Sequence, residues 1–260
     1  MFDELLYRLP DSAFLILWVG SVGLVIGSYL NVAIYRIPAG LSTVRPGSRC
    51  PRCLSSIRAV DNIPVLSYLA LLGRCRRCRG GISPRYPTIE MVTAGLFVSS
   101  FQLYSDDLFS AAVCAALCAV WVVLAMIDWD HRLVPLNLAV PMLVAVAALQ
   151  PWLGWTEPRD AWLGALACGT ALALVSELWR RGSGEVGFAQ GDVWAIALVA
   201  AAWGWQGAVA IFAVASALGL VLAALGRLVG HRLDASLPFV TLLAVAGLGL
   251  QVLWPAWGPS

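Results

Sequence analysis

The sequence predicts an all-α, polytopic membrane protein with about eight transmembrane helices and one small cytoplasmic insert. Its mean hydropathy is +0.81, and 60% of its 260 residues are hydrophobic while only 12% are charged. Apolar runs recur along the chain, and most of them are long enough to cross roughly 30 Å of hydrocarbon. One long polar stretch, residues 36–87, interrupts them. This pattern excludes a soluble globular domain.

Eight apolar runs with few or no charges are interpreted as helices. The first is not expected to be a cleavable signal peptide, because the acidic residues Asp3, Glu4 and Asp11 precede it, where a signal peptide is basic, and its apolar core is long. The sixth is short, and Trp203–Gly207 is expected to form the turn after it. The predicted helices lie near Ala13–Tyr35, Ile89–Tyr104, Leu108–Ile127, Leu133–Leu149, Ala161–Trp179, Asp192–Ala202, Ala208–Leu225 and Leu237–Leu253.

The polar insert, residues 36–87, carries two C-x-x-C pairs separated by 21 residues. Four thiolates at this spacing suit tetrahedral Zn²⁺, and disulfides are disfavoured in the cytoplasm. The sequence therefore predicts a structural zinc-ribbon-like site at Cys50, Cys53, Cys75 and Cys78. The alternative is four reduced cysteines without a metal. The other cysteines, Cys114, Cys118 and Cys168, are expected to pack as small hydrophobic side chains within helices.

All 17 basic residues are arginines, and ten of them lie between residues 36 and 85. Such a cluster is compatible with nucleic-acid binding or with attraction to anionic lipid. No aromatic residue alternates with the arginines of residues 74–79, as is common in nucleic-acid binding segments. The lipid bilayer is therefore the favoured partner, and no nucleic acid is expected.

Arginine distribution also predicts the orientation of the helices. With the amino terminus outside, the inner segments contain the ten arginines of the insert together with Arg132, Arg180, Arg181, Arg227 and Arg232. Only Arg8 and Arg159 remain outside, where the loops are acidic instead. This orientation places residues 36–87 in the cytoplasm.

Two aspartates, Asp128 and Asp192, lie where an apolar run meets the predicted cytoplasmic face. A carboxylate at the edge of hydrocarbon is energetically expensive and usually functional. Two of them on one side of the membrane are what a two-carboxylate hydrolase requires. The alternative for Asp192 is simple helix capping, since Gly-Asp before an apolar run is favourable capping chemistry.

These residues together resemble the prepilin peptidases, the leader peptidases of type IV pilins and type II secretion pseudopilins. The resemblance covers almost the whole chain. It is carried by Gly27–Pro38, the two cysteine pairs with Ile63–Leu69 between them, Ile82–Pro87 followed by Glu90, Ile127–His131, and Gly191-Asp192 as the end of a G-x-G-D motif.

The sequence departs from the family pattern at several positions. Ala189 replaces the first glycine of G-x-G-D, and Trp194 replaces a lysine that is common two residues after the aspartate. Pro135-Leu136-Asn137 replaces a Pro-Asp, and Leu237–Thr241 resembles the usual I-P-F-G-P without its glycine and second proline. None of these changes removes a candidate acid.

The resemblance implies an aspartic endopeptidase that cleaves the leaders of prepilins or pseudopilins at the cytoplasmic membrane face, with Asp128 and Asp192 as its catalytic pair. The cysteine insert implies a second activity, N-methylation of the new terminus with S-adenosylmethionine. The implied domains are a first transmembrane helix at 1–35, the cytoplasmic insert at 36–87 and a transmembrane peptidase domain at 88–260. The implied location of the protein is the bacterial inner membrane. A non-catalytic membrane scaffold with a zinc-bound partner-binding domain is the alternative.

Overall fold

The computed structural model describes residues 2–184, 187–228 and 238–253. Two predicted features, Arg232 and the first residue of the last predicted helix, Leu237, lie outside these residues. The described part of the chain is helical and contains no β-strand, apart from two isolated bridges that join Arg49 to Ser56 and Arg74 to Gly81.

Eight helices and one 3-10 turn make up the described chain. The helix between residues 190 and 228 is broken at Gly204, where φ is 70° and ψ is 177°, so its two halves correspond to the predicted sixth and seventh helices. A five-residue helix within the insert was not predicted. The helices are α1 (Phe2–Arg36), α2 (Leu66–Ala70), α3 (Arg85–Leu103), α4 (Leu108–His131), α5 (Leu136–Leu153), α6 (Pro158–Ser183), α7 (Gln190–Leu228) and α8 (Phe239–Leu253), and the 3-10 turn is Ala59–Asn62.

The predicted fold class is confirmed. Among the described residues, five helices are long and apolar enough to cross a membrane, and Phe239–Leu250 of α8 is a shorter apolar helix. The chain separates into two compact units, Met1–Val123 and Leu124–Ser260. The first contains the insert and the second contains both candidate acids.

In the first unit, α1 and α3 pack closely through two glycines of α1. A Cβ atom at Gly23 would lie 2.7 Å from Cα of Ala94, and one at Gly27 would lie 2.7 Å from Cα of Glu90. Small residues allow this approach, which is a common way for helices to associate in a membrane. The ends of the insert, which connects α1 to α3, are thereby held together.

In the second unit, Gln150 of α5 compensates for the break in α7. A break in a helix leaves carbonyl oxygens without their usual amide partners, and hydrocarbon supplies no replacement. Nε2 of Gln150, which is 1% exposed, donates a hydrogen bond to the carbonyl of Ala201 at 2.8 Å. Its Oε1 accepts one from the amide of Thr156 at 3.3 Å. The break is therefore stabilised by a buried side chain from another helix.

Candidate functional site

Asp128 lies in the last turn of α4 and is buried, with 5% of its surface exposed. Its Oδ2 accepts a hydrogen bond from the amide of Thr241 at 2.9 Å and lies 3.1 Å from the hydroxyl of the same residue. The amide of Val240 also interacts with this carboxyl group. Because α8 begins at Phe239, these amides belong to its first turn, where backbone N–H groups lack helical partners. The amino-terminal end of α8 therefore holds the carboxyl group of Asp128.

Asp192 is the third residue of α7 and reaches back to the residue that precedes the helix. Its Oδ2 accepts a hydrogen bond from the amide of Ala189 at 2.8 Å. This is one half of a capping box, so the capping role considered for this aspartate is real but comes from inside the helix. Gly191 beside it is required by packing, since a Cβ there would lie 2.5 Å from Cγ2 of Val134.

Both acids belong to the second unit. Asp128 and Asp192 are near enough for the charge of one to act on the other. Beside them, the rings of Phe188, Phe212 and Phe239 form a cluster with centroid distances between 5.2 and 6.1 Å. Phe188 precedes Ala189 and Phe239 lies two residues before Thr241, so this cluster joins the two segments that hold the carboxyl groups.

Thr241 is the residue that sequence reasoning missed at this site. It appeared only as a departure from the family ending, at the position of the second proline. A proline has no amide hydrogen, whereas Thr241 supplies both an amide and a hydroxyl to Asp128. The signal in the sequence was the replacement of a proline, which has no hydrogen-bond donor, by Thr241, which has two.

The four cysteines of the insert form one cluster, with their Sγ atoms all within 4.8 Å of one another. Sγ of Cys50 and Sγ of Cys78 are 3.8 Å apart. A tetrahedral zinc site with Zn–S bonds of about 2.3 Å has sulfur atoms about 3.8 Å apart. The predicted cysteines therefore fit a zinc ion, and the cluster could hold one.

Two turns of the same geometry build this cluster. The amide of Leu54 donates to the carbonyl of Cys50 at 2.8 Å, and the amide of Arg79 donates to the carbonyl of Cys75 at 2.9 Å. Leu54 and Arg79 each have φ of 56°. Each pair of cysteines is thus presented by a tight turn made from its own neighbouring residues.

The thiols of the cluster differ in their affinity for protons. Hydrogen bonds from the side chain and backbone of Ser55 lower the pKa of Cys53 to about 6. Backbone hydrogen bonds from Cys78 and Arg77 lower the pKa of Cys75. A backbone hydrogen bond from Gly80 acts in the same direction at Cys78, but burial and the other thiols raise the pKa of Cys78 to about 11. Crowded thiols of this kind give up protons to a cation, since thiolates are the ligand form.

Two buried polar side chains attach the insert to the helices of the first unit. Oε2 of Glu90 accepts a hydrogen bond from the amide of Val65 at 2.7 Å, immediately before α2. Nδ2 of Asn31 donates to the carbonyl of Tyr86 and to that of Gly27, both at 3.2 Å. Both side chains are less than a tenth exposed. They anchor the insert and its connection to α3.

Comparison with known proteins gives two family matches that cover most of the chain. The sequence model of the family described as "Bacterial Peptidase A24 N-terminal domain" matches residues 21–104. The model of the family described as "Type IV leader peptidase family" matches residues 115–224. No solved structure matches.

Curated relatives are named prepilin leader peptidase/N-methyltransferase. The protein of Myxococcus xanthus is 37% identical over 81% of this chain, which spans 63% of that relative's length. The protein of Burkholderia pseudomallei is 35% identical over 87% of this chain and 81% of its own. The protein of Aeromonas salmonicida is 32% identical over 96% of this chain and 94% of its own.

Proposed function

Because the chain belongs to the type IV leader peptidase family of enzymes, we propose that it cleaves the leaders of prepilins or pseudopilins with Asp128 and Asp192 as an aspartic pair. The cleavage takes place at the cytoplasmic face of the bacterial inner membrane. Family membership argues against the alternative of a non-catalytic scaffold. The substrate class comes from the names of the relatives.

One observation carries this proposal: the carboxyl group of each acid is held at the amino-terminal end of a helix, α8 for Asp128 and α7 for Asp192, with one oxygen bound by a backbone amide. Oδ2 of Asp128 is held by Thr241 and Oδ2 of Asp192 by Ala189, at 2.9 and 2.8 Å. The charge of Asp128 also acts on Asp192. Aspartic proteolysis requires two oriented carboxyl groups that interact with each other.

The chemistry follows from the repulsion between neighbouring carboxylates, which makes them share one proton. The ionised member takes a proton from a water molecule, whose oxygen attacks the scissile carbonyl. The protonated member donates a hydrogen bond to the carbonyl oxygen as negative charge develops there. The proton taken from water then passes to the leaving amine, and the pair returns to its starting state.

The cytoplasmic location rests on the arginine distribution. The insert contains ten arginines and Asp61 as its single acidic residue, and loops rich in arginine stay on the cytoplasmic side. The same surface suits anionic lipid headgroups. An acid pair at the ends of membrane helices is suited to a cleavage site where a substrate helix leaves the bilayer.

The test is cleavage of a purified prepilin in detergent by the wild type, Asp128→Asn and Asp192→Asn. We expect each variant to lose at least about 1000-fold in kcat, the effect of removing a group essential to the chemistry, while keeping its thermal midpoint. Asp130→Asn is the matched control, because residues two apart on a helix do not share a face. Near wild-type cleavage by either variant of the pair would show that the assignment is wrong.

We propose further that Cys50, Cys53, Cys75 and Cys78 hold one structural Zn²⁺. Bound zinc supplies folding energy to a small segment that cannot form much of a hydrophobic core. The four thiolates would hold the ion, and the turns at Leu54 and Arg79 would present them. Metal analysis of the protein purified under reducing conditions tests this.

The names of the relatives also support N-methylation of the new terminus with S-adenosylmethionine. Gly80-Gly81, the adjacent glycine pair of the insert, does not fit such a cofactor. Gly80 packs against the side chain of Arg52, and its carbonyl oxygen accepts a hydrogen bond from the amide of Cys75. We therefore assign no residue to the cofactor. Transfer of a labelled methyl group to cleaved pilin tests the activity, and its absence with intact cleavage would contradict it.

A further inference from the structure

The two acids of the proposed pair receive unequal numbers of hydrogen bonds. Asp128 is held by the amide and hydroxyl of Thr241 and interacts with the amide of Val240. For Asp192 the described contact is the single amide of Ala189. Donors aimed at a carboxyl group favour its ionised form, so the surroundings of the two acids are not equivalent.

The hydroxyl of Thr241 has a choice of acceptors. Its Oγ1 lies 2.8 Å from the carbonyl oxygen of Ala125 and 3.1 Å from Oδ2 of Asp128. A hydroxyl has one proton to donate. When Asp128 is ionised, the stronger acceptor is its carboxylate; when Asp128 gains a proton, the hydroxyl turns to Ala125. Both states are thereby satisfied without movement of the backbone.

We infer that Thr241 is a positioning residue that holds Asp128 as the ionised member of the pair and leaves Asp192 to carry the shared proton. This rests on the proposed function of the two acids. The amide and hydroxyl of Thr241 both occupy Oδ2, so the other oxygen, Oδ1, takes the proton from water. Asp192 then donates the hydrogen bond to the scissile carbonyl.

The test compares the pH dependence of kcat/KM for prepilin cleavage in Thr241→Val and Thr241→Ser. Valine keeps the shape and the backbone amide but removes the hydroxyl. We expect Thr241→Val to lower kcat/KM about tenfold and to move the acidic limb of the profile upward by about one pH unit, the effect of removing a hydrogen bond to a charged group. KM should change little, because the hydroxyl bonds to Asp128 and not to the substrate.

Thr241→Ser restores the hydroxyl and should follow the wild-type profile. Thr170→Val is the matched control, since that hydroxyl bonds the carbonyl of Leu166 on its own helix at 2.7 Å. The other charged groups that act on Asp128, Arg132 and Asp192, are retained in every Thr241 variant. A role in packing alone would lower the rate equally at all pH values and leave the limb in place.

An unchanged acidic limb in Thr241→Val, or failure of Thr241→Ser to restore it, overturns the inference. If the valine variant does not fold, Thr241→Ala against Thr241→Ser gives the same comparison. Asp128→Asn and Asp192→Asn separate the two levels of the proposal. Cleavage retained by either overturns the pair and this inference together, whereas loss in both with a wild-type Thr241→Val profile overturns the inference alone.

Discussion

The cysteine cluster and the carboxylate site are assembled in different ways. Each half of the cysteine cluster is a tight turn made by hydrogen bonds between residues a few positions apart, such as Leu54 to Cys50. The carboxylate site instead joins Asp128 to Thr241, which lies 113 residues later in the chain. Each half of the cysteine cluster is thus formed by residues close in sequence, whereas the site that holds Asp128 forms only after distant helices have packed.

Because the two sites are assembled differently, different substitutions are expected to disrupt them. A cluster made of local turns would depend on a bound ion to join them, because the turns have little core of their own. A site made of distant segments depends on helix packing, such as the contact of Gln150 with the broken α7. Substitutions in the cysteine cluster, at the attachment of the insert and beside Asp192 should therefore have effects that decrease in this order.

Removal of the second cysteine pair by Cys75→Ser/Cys78→Ser should have the largest effect. The wild type is expected to bind about one zinc per chain, and the double variant should lose it. Since structural zinc contributes about 10 kcal/mol or more to the folding of small sites, the insert should then be cut rapidly by trypsin at its arginines. Metal analysis and limited proteolysis measure both results.

Cys168→Ser serves as the control for this experiment, because Cys168 lies in α6 outside the insert. It should keep the zinc and the wild-type resistance to trypsin. Zinc retained by the double variant, or its absence from reduced wild-type protein, would refute the metal site.

Gly27→Ala asks whether the insert also depends on distant packing. A Cβ at this position would lie 2.7 Å from the backbone of Glu90, whose carboxylate holds Val65. We expect a loss of about 2 kcal/mol in the free energy of unfolding, as for overpacking of a tight contact. Gly95→Ala in α3 is the matched control, because nothing lies within 4 Å of a Cβ there. Equal thermal midpoints for the two variants would show that the contact is unimportant.

Ala189→Gly should have the smallest effect. This variant restores the first glycine of the G-x-G-D motif, which Ala189 replaces in this chain. Positive φ values occur at five non-glycine residues of the described chain, and Ala189 is not one of them. Alanine therefore meets no backbone strain, and glycine should only add freedom to the unfolded state. We expect unchanged turnover and cleavage site, with a loss of up to about 1 kcal/mol in stability. Faster cleavage of a prepilin by this variant would show that alanine limits the enzyme.

Sequence patterns identified most of the helices because lipid imposes strong requirements on composition. A membrane helix must be long and apolar, so the runs that became α4, α5 and α6 were recognisable without any contact information. Even the break in α7 was expected near Trp203–Gly207, and the structure places it at Gly204. The short α2 was missed, since a five-residue helix has too few residues for a periodic pattern.

Composition and spacing by themselves thus determined the membrane class, the cysteine set and the two candidate acids. Each of these is a property of residue type or of a short interval along the chain. Tertiary structure alone decided that Thr241 holds Asp128. The contact of Asp192 with Ala189 spans only three residues and is part of the local capping of α7. The physical reason is that a buried carboxyl group is satisfied by whichever donors packing brings near it. For Asp128 those donors come from the start of α8, a partner that no local pattern reveals.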